Sequence, residues 1–176
     1  MRKYYIVSLL FLLIASASFA QVPMDENTGK FIYNDVVQEK GTQQEFFNRA
    51  VHWVNITYKN SASVTSVRDP QSGLIEGNHR FRLSYTNADG IKTDGEMILY
   101  HFKLQFKEGR YRYTFDEFEV KKQSHFPMER WADPEDQEYR SDLAQVLTKV
   151  NDNITELIES LKENMKPPFV EVEEEW

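Results

Sequence analysis

The chain has 176 residues with 21 basic and 28 acidic side chains, a formal net charge of −7, and no cysteine. Its length suits one domain, its acidic balance disfavours nucleic acid and anionic lipid as partners, and the missing cysteine excludes disulfides and thiolate metal sites. Aromatic residues make up 14% of the chain, enough to fill a core without covalent staples.

The N-terminal sequence has three parts. Met1-Arg2-Lys3 is a short basic start, and Tyr4 to Ile14 is an apolar run broken only by Ser8. Ala15 to Ala20 is a small-residue stretch that puts Ser18 and Ala20 where a signal peptidase reads them. This layout predicts a cleavable export signal over 1–20. A membrane anchor needs roughly 20 apolar residues, and this run is shorter. With no cysteine to carry a lipid, the expected mature protein is exported, periplasmic or secreted, and not a lipoprotein. Loss of Arg2 and Lys3 leaves 19 basic against 28 acidic residues, a formal charge of −9. The predicted domain covers 21–168. Residues 169–176 read as an acidic tail whose Phe169, Val170 and Val172 are able to dock.

The first predicted strand is Lys30 to Glu39, ended by Gly41. Thr42 followed by Glu45 has the spacing of a capping box. The helix after it buries Phe47, Val51, Val54 and Tyr58 on one face, and Asn60-Ser61 ends it. Four strands follow, divided by turn residues: Ala62 to Arg68, Leu74 to Tyr85, Ile91 to Lys107 with a bulge at Gly95, and Arg110 to Val120.

The turn at Glu108-Gly109 pairs Phe106 with Tyr111, Leu104 with Tyr113 and Phe102 with Phe115. The turn at Asp89-Gly90 pairs Phe81 with Ile98 and Ile75 with Leu104. Two independent turns therefore place these apolar side chains on one sheet face, and a one-residue slip in either would destroy that agreement. The opposite face carries Glu76, Arg80, Arg82, His101, Lys103, Gln105, Lys107, Arg110 and Arg112, with Glu76 opposite Lys103 and His101 opposite Asp116.

Asp133-Pro134-Glu135-Asp136 has the residues of a helix start. From Tyr139 through Leu143 and Val146 to Met165 an apolar stripe keeps the helical period to Lys166, and Pro167-Pro168 stops it. The predicted fold class is α+β, in the order β-α-β-β-β-β-α, with both helices packed on one face of an antiparallel sheet.

Several segments carry a resemblance. They are Asp25-Glu26-Asn27-Thr28-Gly29-Lys30 before Ile32-Tyr33-Asn34-Asp35-Val36-Val37, and Gly41-Thr42 before Phe46-Phe47-Asn48-Arg49-Ala50-Val51-His52-Trp53. With them go Ser72-Gly73-Leu74-Ile75-Glu76-Gly77 and Glu108-Gly109-Arg110-Tyr111-Arg112-Tyr113. On these residues the chain resembles the bacterial exported domains of unknown function described as having a TATA-binding-protein-like (TBP-like) fold. The resemblance implies an architecture that agrees with the order of elements above. It implies no activity, and a TBP-like fold does not imply DNA binding.

No catalytic group set stands out. His52, His79, His101 and His125 have no ligand-like spacing, so no metal and no cofactor are expected. The acids Asp133, Glu135, Asp136 and Glu138 lack the spaced oxygen array of a calcium loop. No phosphate loop or nucleophile elbow is present. Two candidate surfaces remain. One is the basic stripe of Arg80, Arg82, His101, Lys103, Arg110 and Arg112 on the open sheet face, whose other reading is an ordinary solvated face. The second is the loop bearing Phe126, Met128 and Trp131, which reads either as a contact patch or as a plug for the open end of the core.

The sequence thus points to a non-catalytic exported binding or accessory domain. It would recognise an envelope protein or an anionic ligand through its open sheet face. The alternative is a small-ligand carrier or enzyme with a pocket between the C-terminal helix and the sheet, lined by Tyr100, Tyr113, Trp53 and Trp131. A third possibility is self-association through the outer strands.

Overall fold

The computed structural model describes residues 22–167. The predicted leader and the acidic tail lie outside the described residues. Strand β1 (Tyr33–Gln38) leads into helix α1 (Gln43–Thr57). The capping box predicted at its start is present. The Thr42 hydroxyl accepts from the Glu45 N–H at 3.2 Å, and the Glu45 carboxylate accepts from the Thr42 N–H at 2.7 Å. Of the predicted stripe on α1, Phe47, Val54 and the capping Tyr58 are buried and Val51 is half-buried, and the buried face is wider than predicted, taking in Phe46, Ala50 and Trp53.

A single-turn helix α2 (Ser61–Val64) precedes β2 (Thr65–Asp69), where the sequence predicts strand from Ala62. Strands β3 (Leu74–Thr86), β4 (Lys92–Lys107) and β5 (Arg110–Lys121) follow close to their predicted bounds. A short strand β6 (His125–Pro127), a 3₁₀ turn (Met128–Ala132) and helix α3 (Leu143–Met165) complete the described chain. The sheet order is β1-β5-β4-β3-β2, and β6 pairs with β5 beyond the end of β1. Each of these pairings is antiparallel.

Both hairpin registers derived from the turns are found. Phe106 faces Tyr111, Leu104 faces Tyr113 and Phe102 faces Phe115. Phe81 faces Ile98 and Ile75 faces Leu104. Gly109 holds its tight turn with φ 69°, a conformation that costs a residue without Cβ little. The predicted bulge near Gly95 is present opposite Arg82 and Ser84.

A second bulge has no turn residue to announce it. Between Leu99–His101 of β4 and Asp116–Glu119 of β5, the latter strand carries one extra residue, with Glu117 at φ 50°. It inverts the alternation of β5. Tyr111, Tyr113 and Phe115 are buried before it, and Phe118 and Val120 after it.

Helices α1 and α3 lie antiparallel on the apolar face. The Trp53 indole N–H donates to Ser160 Oγ at 3.1 Å, and Arg49 Nη1 donates to the Met165 carbonyl at 2.9 Å. Buried aromatics interlock between helix and sheet: Phe46 meets Tyr111 at 5.6 Å and Phe47 meets Phe106 edge-on at 6.1 Å. At Gly77 the chain layers touch so closely that an added Cβ would sit 2.3 Å from the Val64 carbonyl oxygen and 2.7 Å from the Phe102 ring. The Gly77→Ala variant is therefore expected to lose about 1–3 kcal/mol in urea unfolding; an unchanged midpoint would contradict this packing.

The start of the long helix corrects the sequence reading. Helix α3 begins at Leu143, not at Asp133. Asp133 does accept from the Glu135 N–H at 3.0 Å, as a helix cap would, but the turn closes on itself. Asp136 accepts from the Glu138 N–H at 2.8 Å and holds Arg130 through two hydrogen bonds of 2.7 and 2.9 Å. The Arg140 N–H returns to the Trp131 carbonyl at 3.1 Å. Tyr139, 48% exposed, adds nothing to the apolar stripe. Local start residues without an apolar face to bury do not propagate a helix.

Acids hold this segment and the α1 cap. Arg130 beside Asp136 and Arg140 beside Asp142 hold those carboxyls below the usual range through hydrogen bonds, and Thr42 does the same for Glu45. Carboxyls whose folded pKa is depressed favour the folded state above roughly pH 4 and lose that contribution as pH falls toward the folded values. The urea midpoint is expected to fall as pH drops below about 4.5, with a smaller fall in Asp142→Asn. An equal fall in that variant would remove Asp142 from the account.

Candidate functional site

The open face of the sheet carries the predicted basic stripe. Alternation places Arg80 and Arg82 of β3, His101 and Lys103 of β4, and Arg110 and Arg112 of β5 on it. The structure divides these residues by their partners. Lys103 is paired with Glu76 at 2.6 Å, and His101 Nδ1 lies 2.8 Å from Asp116. Both pairs follow the predicted cross-strand register. Arg82 stands 3.7 Å from Asp94 and donates to the Gly95 carbonyl at 3.1 Å. In the middle of the face these three therefore have acidic neighbours, while Arg80 is exposed and forms no ion pair among the described residues.

At the end of the face by the β4–β5 turn the cations stand in a different arrangement, with Glu108 in the turn and Glu39 hydrogen-bonded beside it. Lys107 is opposite Arg110, Gln105 opposite Arg112, and Arg112 in turn opposite Val36 of β1. Among the described residues Lys107, Arg110 and Arg112 form no ion pair. With Val36, Gln105 and Tyr111 they line a shallow depression of about 200 Å³. Val36 is 38% exposed beside the three cations. Sequence reading found the two arginines. It placed Lys107 on the right face without singling it out, because charge balance depends on which acids sit opposite.

The loop expectation changes more. Phe126, Met128 and Trp131 are all buried, so they present no contact patch and instead close the end of the core. Trp131 meets Phe126 edge-on at 6.2 Å, and the Arg140 guanidinium covers its ring at 5.0 Å. Arg140 also pairs with Glu96 and holds Asp142 at 2.7 and 2.8 Å. The Tyr85 hydroxyl donates to Glu96 at 2.8 Å. Burial acts to raise the Glu96 pKa, but its own backbone N–H, Tyr85 and Arg140 outweigh that and lower it. Strand β6 turns Phe126 inward by pairing it with Val120.

On the helix side there is a cleft of about 430 Å³ where α1 ends and α3 continues. Tyr58, His79, Phe81 and Tyr100 form much of its floor, and Asn153, Glu156 and Ser160 of α3 its polar wall. Of the four residues expected to line a helix–sheet pocket, Tyr100 lines this cleft; Tyr113, though buried, borders a separate depression with Tyr33 and Ile158, and Trp53 and Trp131 are packed into the core. The Tyr58 and Tyr100 hydroxyls lie 3.2 Å apart, and burial pushes the Tyr100 phenol up to about 12. Burial, then the Arg80 charge, lowers the His79 pKa and favours the neutral ring. Ile56, 59% exposed, stands at the rim. These groups offer aromatic surface and hydrogen bonds. Among the described residues no cluster of three or more His, Asp or Glu side chains is placed to hold a metal ion.

This geometry defines an α+β protein class: an antiparallel sheet covered by two main helices on one face and open on the other. Within it, the chain belongs to the family described as a domain of unknown function (DUF4468) with TBP-like fold, whose model matches residues 33–121. Solved structures share the fold, two of them as follows. One is a TBP-like protein from Parabacteroides distasonis ATCC 8503, with TM-score 0.66 and 15% identity over 82% of this chain and 96% of that one. The other is a DUF4468 family protein from Bacteroides ovatus ATCC 8483, with TM-score 0.66 and 14% identity over 84% of this chain and 91% of that one. No curated protein sequence is similar to this chain. Identities this low carry the fold and not an activity.

Proposed function

We propose that the protein is a non-catalytic exported binding domain that recognises an anionic group on a ligand or an envelope protein through its open sheet face. The observation that supports it most is the trio Lys107, Arg110 and Arg112, adjacent around one turn and without an ion pair among the described residues, on a chain of formal charge −7. A concentrated patch of one sign against the opposite average attracts the complementary charge. Arg110 and Arg112 lie on the middle strand of the three that border the depression, which fixes their backbone and leaves their guanidinium groups to the ligand.

Citrate, a small polyanion, is a suitable probe. Titration followed by backbone amide shifts is expected to move Gln105, Lys107, Arg110 and Arg112, and to weaken with added salt. The Arg110→Ala/Arg112→Ala double variant should bind about tenfold more weakly, the size expected from two partly exposed charge contacts. Equal binding by the double variant would overturn the assignment.

A further inference from the structure

Strand β3 is longer than the neighbour on its outer side. Strand β2 pairs with it only from Leu74 to Gly77, and from Asn78 to Thr86 no strand lies along that edge among the described residues. The direction of its free backbone groups follows from two contacts. Ser66 of β2 reaches the Glu76 carbonyl, so even-numbered residues of β3 point their N–H and C=O outward. Thr93 of β4 reaches the Tyr85 carbonyl, so odd-numbered residues point inward to β4. The N–H and C=O of Asn78, Arg80 and Arg82 therefore face outward. An edge of this length with unsatisfied groups is a template for another strand.

The surroundings of that edge differ on its two sides. On the helix side His79 and Phe81 border the 430 Å³ cleft, with Ile56 and Leu157 as further apolar walls. On the open side, by alternation, stand Arg80, which also borders the cleft and is exposed and without an ion pair among the described residues, and Arg82, whose contact with Asp94 is 3.7 Å long. A strand added here would alternate in the same way. Every second side chain would enter the cleft, and those between would meet arginine.

We propose that the β3 edge is a peptide-binding site for an extended segment that alternates apolar and acidic residues. It binds by strand addition. A second copy of the same edge is a poor occupant. Antiparallel self-pairing centred on Phe81, which uses the Arg80 and Arg82 backbone groups of both copies, sets these arginines against the same two of the other molecule, and like charges directly opposite are destabilising. This site is separate from the Lys107–Arg110–Arg112 end of the open face, and it does not depend on the function proposed there.

A synthetic peptide of sequence Phe-Val-Glu-Val-Glu-Glu-Glu-Trp, which reproduces residues 169–176 of this chain, has the required alternation over most of its length. Added to the purified protein, it is expected to slow amide hydrogen exchange at Asn78, Arg80 and Arg82 and to shift Ile56 and Phe81. The Arg80→Glu/Arg82→Glu variant should bind it at least tenfold more weakly, and should instead take the counterpart in which lysine replaces every glutamate. That gain cannot come from a variant that merely fails to fold. Absence of protection at the three amides would overturn the inference. So would loss of binding in Arg110→Ala/Arg112→Ala with none in the charge-reversed variant, which would assign the peptide to the other site. Concentration-dependent dimerisation with β3 amides protected in the absence of peptide would show that a second copy is the occupant, and would also overturn it.

Discussion

Replacing Trp53 by alanine is expected to lower the stability by about 3–5 kcal/mol, the range for removing a large aromatic from a packed core. For a domain of this size that is a fall of roughly 10 °C in Tm. Trp53 is 0% exposed and sits where α1, α3 and the sheet meet. Its ring meets Tyr58 edge-on at 5.7 Å, and its N–H is satisfied by Ser160 of α3. Truncation removes the volume and leaves the Ser160 hydroxyl without that donor. Trp53→Phe retains most of the volume and should cost less than half as much. Urea and thermal unfolding of the three proteins check this. A loss under 1 kcal/mol in the alanine variant would mean that the helix layer is not packed on Trp53.

Replacing Trp131 by alanine should have an effect of the same order, about 3–5 kcal/mol, because this residue is 1% exposed and closes the far end of the core. The loss should reach beyond the ring itself. Arg140, which covers Trp131, is bound to Glu96 of β4 and to Asp142 just before α3. Without the indole, that partly buried guanidinium loses its apolar cover, and the start of α3 is expected to become less protected in amide exchange. A surface contact residue would behave differently, leaving stability unchanged and affecting only association. The urea midpoint of Trp131→Ala therefore checks the buried role of this loop.

Much of the sheet is legible in the amino-acid sequence. Gly109 and the Asp89-Gly90 pair fix two turns, and a side-chain period of two converts each turn into a full register. The Lys103–Glu76 ion pair and the His101–Asp116 contact follow as arithmetic. The start of α3 was not legible, because Asp133-Pro134 satisfies every local rule for a helix start. The competing structure depends on Arg130 and Trp131 being held nearby. The bulge at Glu117 was equally silent. A glutamate at positive φ is unfavourable by itself, and is sustained here by Phe118 and Val120 entering the core on one side and β6 pairing on the other.

The candidate sites divide in the same way. The amino-acid sequence determined that Arg80, Arg82, His101, Lys103, Arg110 and Arg112 share one sheet face, since alternation and two turns suffice for that. It also determined the capping box of α1 and the apolar face that both helices cover. Only the tertiary structure decided that Lys107, Arg110 and Arg112 have no ion-pair partner among the described residues, that Phe126, Met128 and Trp131 point inward, and that β3 outruns β2 to leave an open edge beside a cleft. Each of these depends on residues far apart in the chain. The physical reason is range: side-chain alternation and turn conformation are set by adjacent residues, whereas charge neutralisation, burial and a free strand edge are set by what the rest of the chain brings alongside.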